Sequence, residues 1–147
     1  MKLVRYLRNN LLLIAISSGV LFSWYTVISD FLRFYRIYGT VFRIENCSVP
    51  NPVITPCFYG AIAFFIALIL LILNKIRFLN FLLIGGTAFA WSNFLYEAYK
   101  FYLPSNTNKI GCSGIEIVNI FNTPCFYGAV IYLISLIILL NSNMKDR

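Results

Sequence analysis

The chain has 147 residues, of which 60% are hydrophobic and only 12% charged, and it contains no histidine. Its mean hydropathy is +0.78. Soluble domains carry about 25% charged residues, so a soluble globular protein is excluded, and the missing histidine removes the commonest general base and metal ligand. The net charge of +7 does not point to nucleic acid, because the basic residues flank apolar stretches where membrane orientation rules place them.

Four apolar stretches have spanning length, since a helix needs roughly 20 residues to cross the hydrocarbon. In chain order they run approximately Leu11–Ser29, Cys57–Leu73, Phe78–Tyr96 and Cys125–Leu140. The first follows a basic segment like that of a signal peptide, but its apolar run is too long and no small-x-small cleavage site follows. It is expected to be a retained span. After it come Asp30, Arg33, Phe34 and Tyr35; after the third span come Glu97, Lys100, Phe101 and Tyr102.

This correspondence is part of an internal duplication. Thr-Pro-Cys-Phe-Tyr-Gly-Ala occurs at Thr55–Ala61 and again at Thr123–Ala129, and Gly19-Val-Leu-Phe-Ser-Trp24 aligns with Gly86-Thr-Ala-Phe-Ala-Trp91. Repeats fix the architectural unit. The chain is read as one all-α membrane domain, 1–147, with repeat 1 at about 9–75 and repeat 2 at about 76–142. Two spans per repeat predict a four-transmembrane-helix bundle of two tandem parallel repeats related by an axis along the membrane normal.

Lys2, Arg5, Arg8, Lys75, Arg77, Lys145 and Arg147 lie at one end; Arg33, Arg36, Arg43, Lys100 and Lys109 lie at the other, with Asp30, Glu45, Glu97 and Glu116. The positive-inside rule counts Lys and Arg and places both termini in the cytoplasm. The loops at about 36–55 and 103–123, with all four cysteines, are then exoplasmic. A bacterial cytoplasmic membrane is the expected location, with the lipid bilayer as the first partner.

Each heptapeptide reads as a helix start. Thr55 and Thr123 suit the N-cap, where a hydroxyl accepts from an orphan N–H; Pro56 and Pro124 suit the first helical position. Cys57 and Cys125 then fall in the first turn, at the positive end of the helix dipole. Cys47 and Cys112 precede them, with nine and twelve residues between. Four cysteines allow three pairings; the duplication favours Cys47–Cys57 and Cys112–Cys125, static bridges each stabilising by about 2–4 kcal/mol. A reactive thiol at either helix start is the alternative. The second loop also holds an apolar run, Ile115 to Phe121, expected to cover the bundle end or to lie at the interface.

On the odd-numbered spans, Gly19, Ser23, Thr26, Asp30 and Arg33 share a helical face, as do Gly86, Ala90, Asn93, Glu97 and Lys100. The small-x-x-x-small pairs predict a close packing seam ending in interfacial ion pairs, Asp30 with Arg33 and Glu97 with Lys100. Trp24 and Trp91, with the outer tyrosines, are expected in the interfacial aromatic belt.

Four spans with both termini inside and two cysteines in each outer loop resemble the layout of the quinone-coupled membrane disulfide oxidases, the DsbB and vitamin K epoxide reductase group. Those families carry a Cys-x-x-Cys pair; this chain has Cys-x9-Cys and Cys-x12-Cys, so the likeness is of layout and no catalytic residue carries over. The leading expectation is a non-enzymatic subunit or interaction module without a cofactor or metal, meeting another membrane or exported protein through its outer loops, with no nucleic acid. The alternative is a thiol–disulfide oxidoreductase, with Cys57 or Cys125 passing electrons to quinone. A small transporter or channel using the cleft between copies is third.

Overall fold

The computed structural model describes residues 2–42, 49–103 and 116–144, with side chains of 10–42, 49–103 and 116–141. Four helices account for most of them: α1 (Lys2–Tyr38), α2 (Pro56–Ile72), α3 (Ile76–Tyr102) and α4 (Pro124–Met144). Windows within α1 (Asn10–Tyr38), α3 and α4 (Pro124–Asn141) are long and apolar enough to cross a membrane. α2 is apolar throughout but has 17 residues.

The outward faces explain why these helices need a lipid solvent. On α1, Leu11, Ile14, Leu21, Ile28 and Leu32 are all more than half exposed and recur at helical spacing. A contiguous apolar surface of this kind is an aggregation liability in water and the ordinary lipid-facing surface of a membrane helix. The chain is thus built as an all-helical integral membrane protein.

Local chemistry sets the helix ends. α1 stops at Gly39, whose φ of 66° supplies the left-handed residue that closes a helix, with its N–H donating to the Tyr35 carbonyl at 2.8 Å. α2 ends in a Schellman turn: the Lys75 N–H donates to Leu70 O at 2.9 Å and the Asn74 N–H to Leu71 O at 3.0 Å. Asn74 takes the left-handed position, φ 55°, a conformation Asn tolerates better than most residues. α3 begins at once, so α2 and α3 are antiparallel neighbours joined by a tight turn.

The helices form a ring in which α1 packs on α2 and α4, and α3 on α2 and α4; across the centre α2 meets α4. Half of the bundle is filled. Leu12 and Ile16 of α1, Phe64 and Ala67 of α2, Leu79 and Leu83 of α3 and Tyr132 and Leu139 of α4 make one buried cluster at the end that holds the Asn74 turn. A second, smaller cluster sits at the opposite end: Phe94 with Ile117 and Ile120, flanked by Trp91, Ala98, Phe101 and Phe126. The apolar run of the second loop therefore does cover the end of α3 and α4, through Ile117 and Ile120. Trp91 lies edge-on to Phe94, their centroids 5.7 Å apart, against this cluster; Trp24 is half-buried.

Candidate functional site

Among the described residues a cleft opens between the two copies, about 490 Å³ with its open mouth included. Its walls come in matched pairs. From α1 and α3 come Phe22 with Phe89, Ser23 with Ala90 and Thr26 with Asn93, each pair 67 positions apart (22 + 67 = 89). From α2 and α4 come Pro56 with Pro124, Cys57 with Cys125, Gly60 with Gly128 and Phe64 with Tyr132, each pair 68 apart (56 + 68 = 124). Every lining residue has its repeat counterpart on the opposite wall, and none carries a charge.

The floor is an aromatic pair. The Phe64 and Tyr132 rings stack with centroids 3.8 Å apart and planes 21° from parallel. Each ring rests on a glycine of the odd-numbered helix of its own copy: a Cβ on Gly19 would meet Phe64 Cε1 at 2.5 Å, and one on Gly86 would meet Tyr132 Cε1 at 2.5 Å. The small-x-x-x-small rows thus serve ring seating as well as helix approach. Tyr132 breaks the symmetry, its hydroxyl donating to the Gly60 carbonyl at 3.0 Å and so tying α4 to α2.

Gly60 and Gly128 do the opposite job. Nothing lies within 4 Å of a Cβ built on either, so the absence of their side chains leaves open space in the cleft. Both belong to the repeated heptapeptide, which therefore contributes proline and cysteine to the rim and glycine to the wall.

The polar wall residues are satisfied by their own helices. The Ser23 hydroxyl donates to Val20 O at 3.1 Å, the Thr26 hydroxyl to Phe22 O at 3.0 Å and Asn93 Nδ2 to Phe89 O at 2.8 Å. Below the membrane surface such back-bonding is the cheapest way to house a hydroxyl.

At the rim, Cys57 is half-buried and Cys125 is buried. Both side chains line the cleft, and Asp30 is close enough to Cys57 for the two to interact electrostatically. The expected Cys47–Cys57 and Cys112–Cys125 bridges are not supported: no two sulfurs among the described residues sit at disulfide distance. Cys47 and Cys112 lie outside the described residues, as do Lys145 and Arg147 of the basic end.

The caps are also more elaborate than expected. Thr55 occupies the N-cap of α2 but makes no side-chain cap; its hydroxyl donates backwards to Pro52 O at 2.7 Å. Thr123 donates likewise to Ile120 O at 2.9 Å and accepts from the Phe126 N–H only at 3.4 Å. The true caps act on a short 3-10 turn before each helix, Pro52–Ile54 and Ile120–Asn122, where Asn51 Oδ1 accepts from the Val53 N–H and Asn119 Oδ1 from the Phe121 N–H, both at 3.0 Å. The repeated unit is thus Asn-x-x-x-Thr-Pro-Cys. Its signal in the sequence is an asparagine four residues before each threonine.

Beyond the rim, Arg33 pairs with the buried Asp30 as expected. In the second copy Glu97 is buried and the Lys100 ammonium sits over the Tyr96 ring, 4.5 Å from its centroid. No cluster of three or more potential metal ligands occurs among the described residues. Comparison of the chain with protein-family models, with curated proteins and with solved structures finds no match.

Proposed function

We propose that the chain is a four-span integral membrane protein with both termini in the cytoplasm, working as a non-catalytic binding module whose two like halves assemble one cleft at the exoplasmic end. At 1.5 Å per residue, the 17 residues of α2 cover about 25 Å, the lower end of what spans a bilayer. The observation that carries the reading is the cleft itself: seven residues and their seven repeat counterparts enclose an uncharged, ring-walled space. Ligand sites are mostly apolar concavities with a few placed polar groups, and an uncharged wall selects an uncharged ligand, since unpaired charge is costly there. The duplication then has a purpose, because a single copy supplies only half the walls.

Two measurements test this. Reporter fusions at each terminus and within residues 43–48 and 104–115 establish the topology; a terminus on the outside overturns the orientation. Saturable binding of an uncharged apolar photoprobe to the protein in lipid nanodiscs, lost in the cleft-filling Ala90→Phe variant, supports the module. Labelling that never saturates and ignores Ala90→Phe sinks it.

One observation favours a second reading. Cys57 and Cys125 both line the cleft, where a thiol–disulfide oxidoreductase would need them. Such an enzyme would hold one of these cysteines in a disulfide with a second cysteine. An exported dithiol would exchange with that disulfide and leave as a disulfide, and the enzyme's pair would be left as two thiols. The pair would then pass two electrons and two protons to a quinone, giving a quinol. Single replacements of each cysteine should then trap a mixed disulfide with an exported protein, and four variants that trap none end this alternative.

A further inference from the structure

We infer that the cleft takes a single uncharged hydroxylated ring, a phenol-type group, and that Gly60 and Gly128 are its specificity-determining residues; the inference rests on the binding-module reading. Three observations narrow the ligand. The first is depth. From Cys57 at the rim to Phe64 at the floor is seven residues, roughly 10 Å of helix, and the floor is closed by two rings stacked at 3.8 Å. A long acyl chain is stopped there, whereas a single ring is short enough for that depth and can stack on the aromatic side chains that line it, Phe22 and Phe89 among them.

The second is the missing pair of side chains. Glycine inside a helix costs about 1 kcal/mol relative to alanine, yet both copies carry one, and at both the Cβ position faces open space. Gly19 and Gly86 have a packing reason; Gly60 and Gly128 have none among the described residues. The space they leave lies on opposite walls of the cleft, where a flat ligand would lie against backbone.

The third is hydrogen-bond supply. The hydroxyl hydrogens of Ser23, Thr26 and Tyr132 all go to backbone carbonyls, and one Asn93 N–H goes to Phe89 O. Each hydroxyl oxygen keeps acceptor capacity, as does Asn93 Oδ1. Apart from the second Asn93 N–H and the weak S–H donors of Cys57 and Cys125 at the rim, this set favours a ligand that donates, so a hydroxyl suits it better than an ether or an ester.

The test uses the full chain in lipid nanodiscs with a dialkylphenol bearing a diazirine, and its methyl ether as the matched probe. The phenol should crosslink within residues 22–26, 57–64, 89–93 or 125–132 and be displaced by excess unlabelled dialkylphenol. The ether should label the same residues roughly threefold to tenfold more weakly, the worth of one net hydrogen bond. Thr26→Val should bring the phenol toward the ether. Gly60→Leu should abolish labelling by both; if that variant does not fold, Gly60→Ala with Gly128→Ala should weaken both. Equal labelling by phenol and ether at the cleft overturns the hydroxyl assignment while leaving the binding module standing. Labelling spread over lipid-facing residues, without displacement, overturns both.

Discussion

Phe64 and Tyr132, counterparts in the two copies, stack on each other at the centre of the bundle, and only Tyr132 carries a hydroxyl, donated to the Gly60 carbonyl of the other copy at 3.0 Å. The bond runs from α4 to the backbone of α2. It ties the two halves together at the level where the cleft begins. Tyr132→Phe keeps the stack and removes the bond, so it should lower stability by about 0.6–1.5 kcal/mol. Unfolding in mixed micelles measures this, and a variant as stable as the parent would mean that the stack alone joins the halves.

The four glycines of the two matched pairs should respond to alanine in opposite directions. At Gly19 and Gly86 the new methyl meets a buried ring at 2.5 Å, and neither ring can move away because each is held by the other. Overpacking of this kind costs about 1–3 kcal/mol, more than the helix propensity that alanine returns. At Gly60 and Gly128 nothing is met within 4 Å, and the same substitution should stabilise by up to about 1 kcal/mol. Thermal unfolding of the four single variants reads the split directly; a uniform response at all four positions would contradict the geometry.

Much of this arrangement was legible in the chain and some was not, for reasons that differ by residue. The helices follow from long apolar runs, and the starts of α2 and α4 from the Thr-Pro pairs, because those signals are local; the left-handed residues Gly39 and Asn74 that end α1 and α2 emerge only from the backbone. Spacing put Gly19, Ser23 and Thr26 on one face, with Asp30 and Arg33 beyond. The partner of that face was invisible: a glycine row says that something comes close, and only the packed bundle shows that it is an aromatic ring from the even-numbered helix. The cysteines show the same limit. Their place in the first helical turn was readable, but the direction in which they point depends on where α2 and α4 lie relative to the other copy. The duplication favoured bridges to Cys47 and Cys112, which lie outside the described residues; that Cys57 and Cys125 both line the cleft is visible only in the packed bundle. Threonine before proline suggested a simple cap, and the asparagine four residues earlier went unread because a 3-10 turn is too short to leave a periodic signal.

That asparagine gives a further prediction. Asn51 and Asn119 make the same bond to the residue two positions on, but Asn51 is buried and Asn119 is exposed. In Asn119→Ala, water can replace the lost acceptor and the cost should be about 0.5 kcal/mol, the low end for a cap. In Asn51→Ala the Val53 N–H loses its partner in a half-buried setting, and about 1–2 kcal/mol is expected. The comparison is internally controlled, since both variants remove the same side chain from the same turn in the same protein. Equal losses would show that burial of the cap carries no weight.

The ion pair beyond the rim separates attraction from desolvation. Asp30 is 6% exposed, so its carboxylate has given up most of its water, while the Arg33 side chain keeps 28% exposure and can reach the interface. Removing the cation in Arg33→Met leaves a buried carboxylate short of its partner and should cost about 1–3 kcal/mol. Removing both charges together, in Asp30→Asn with Arg33→Met, leaves no charge to desolvate and should recover much of that loss, as replaced buried pairs do. A double-mutant cycle on unfolding free energies measures the coupling. The expected result is a double variant more stable than Arg33→Met alone. Were the double variant the weaker of the two, the pair would be holding the end of α1 by attraction that exceeds its desolvation cost, and Asp30 would then fix the position of the neighbouring Cys57 at the cleft rim.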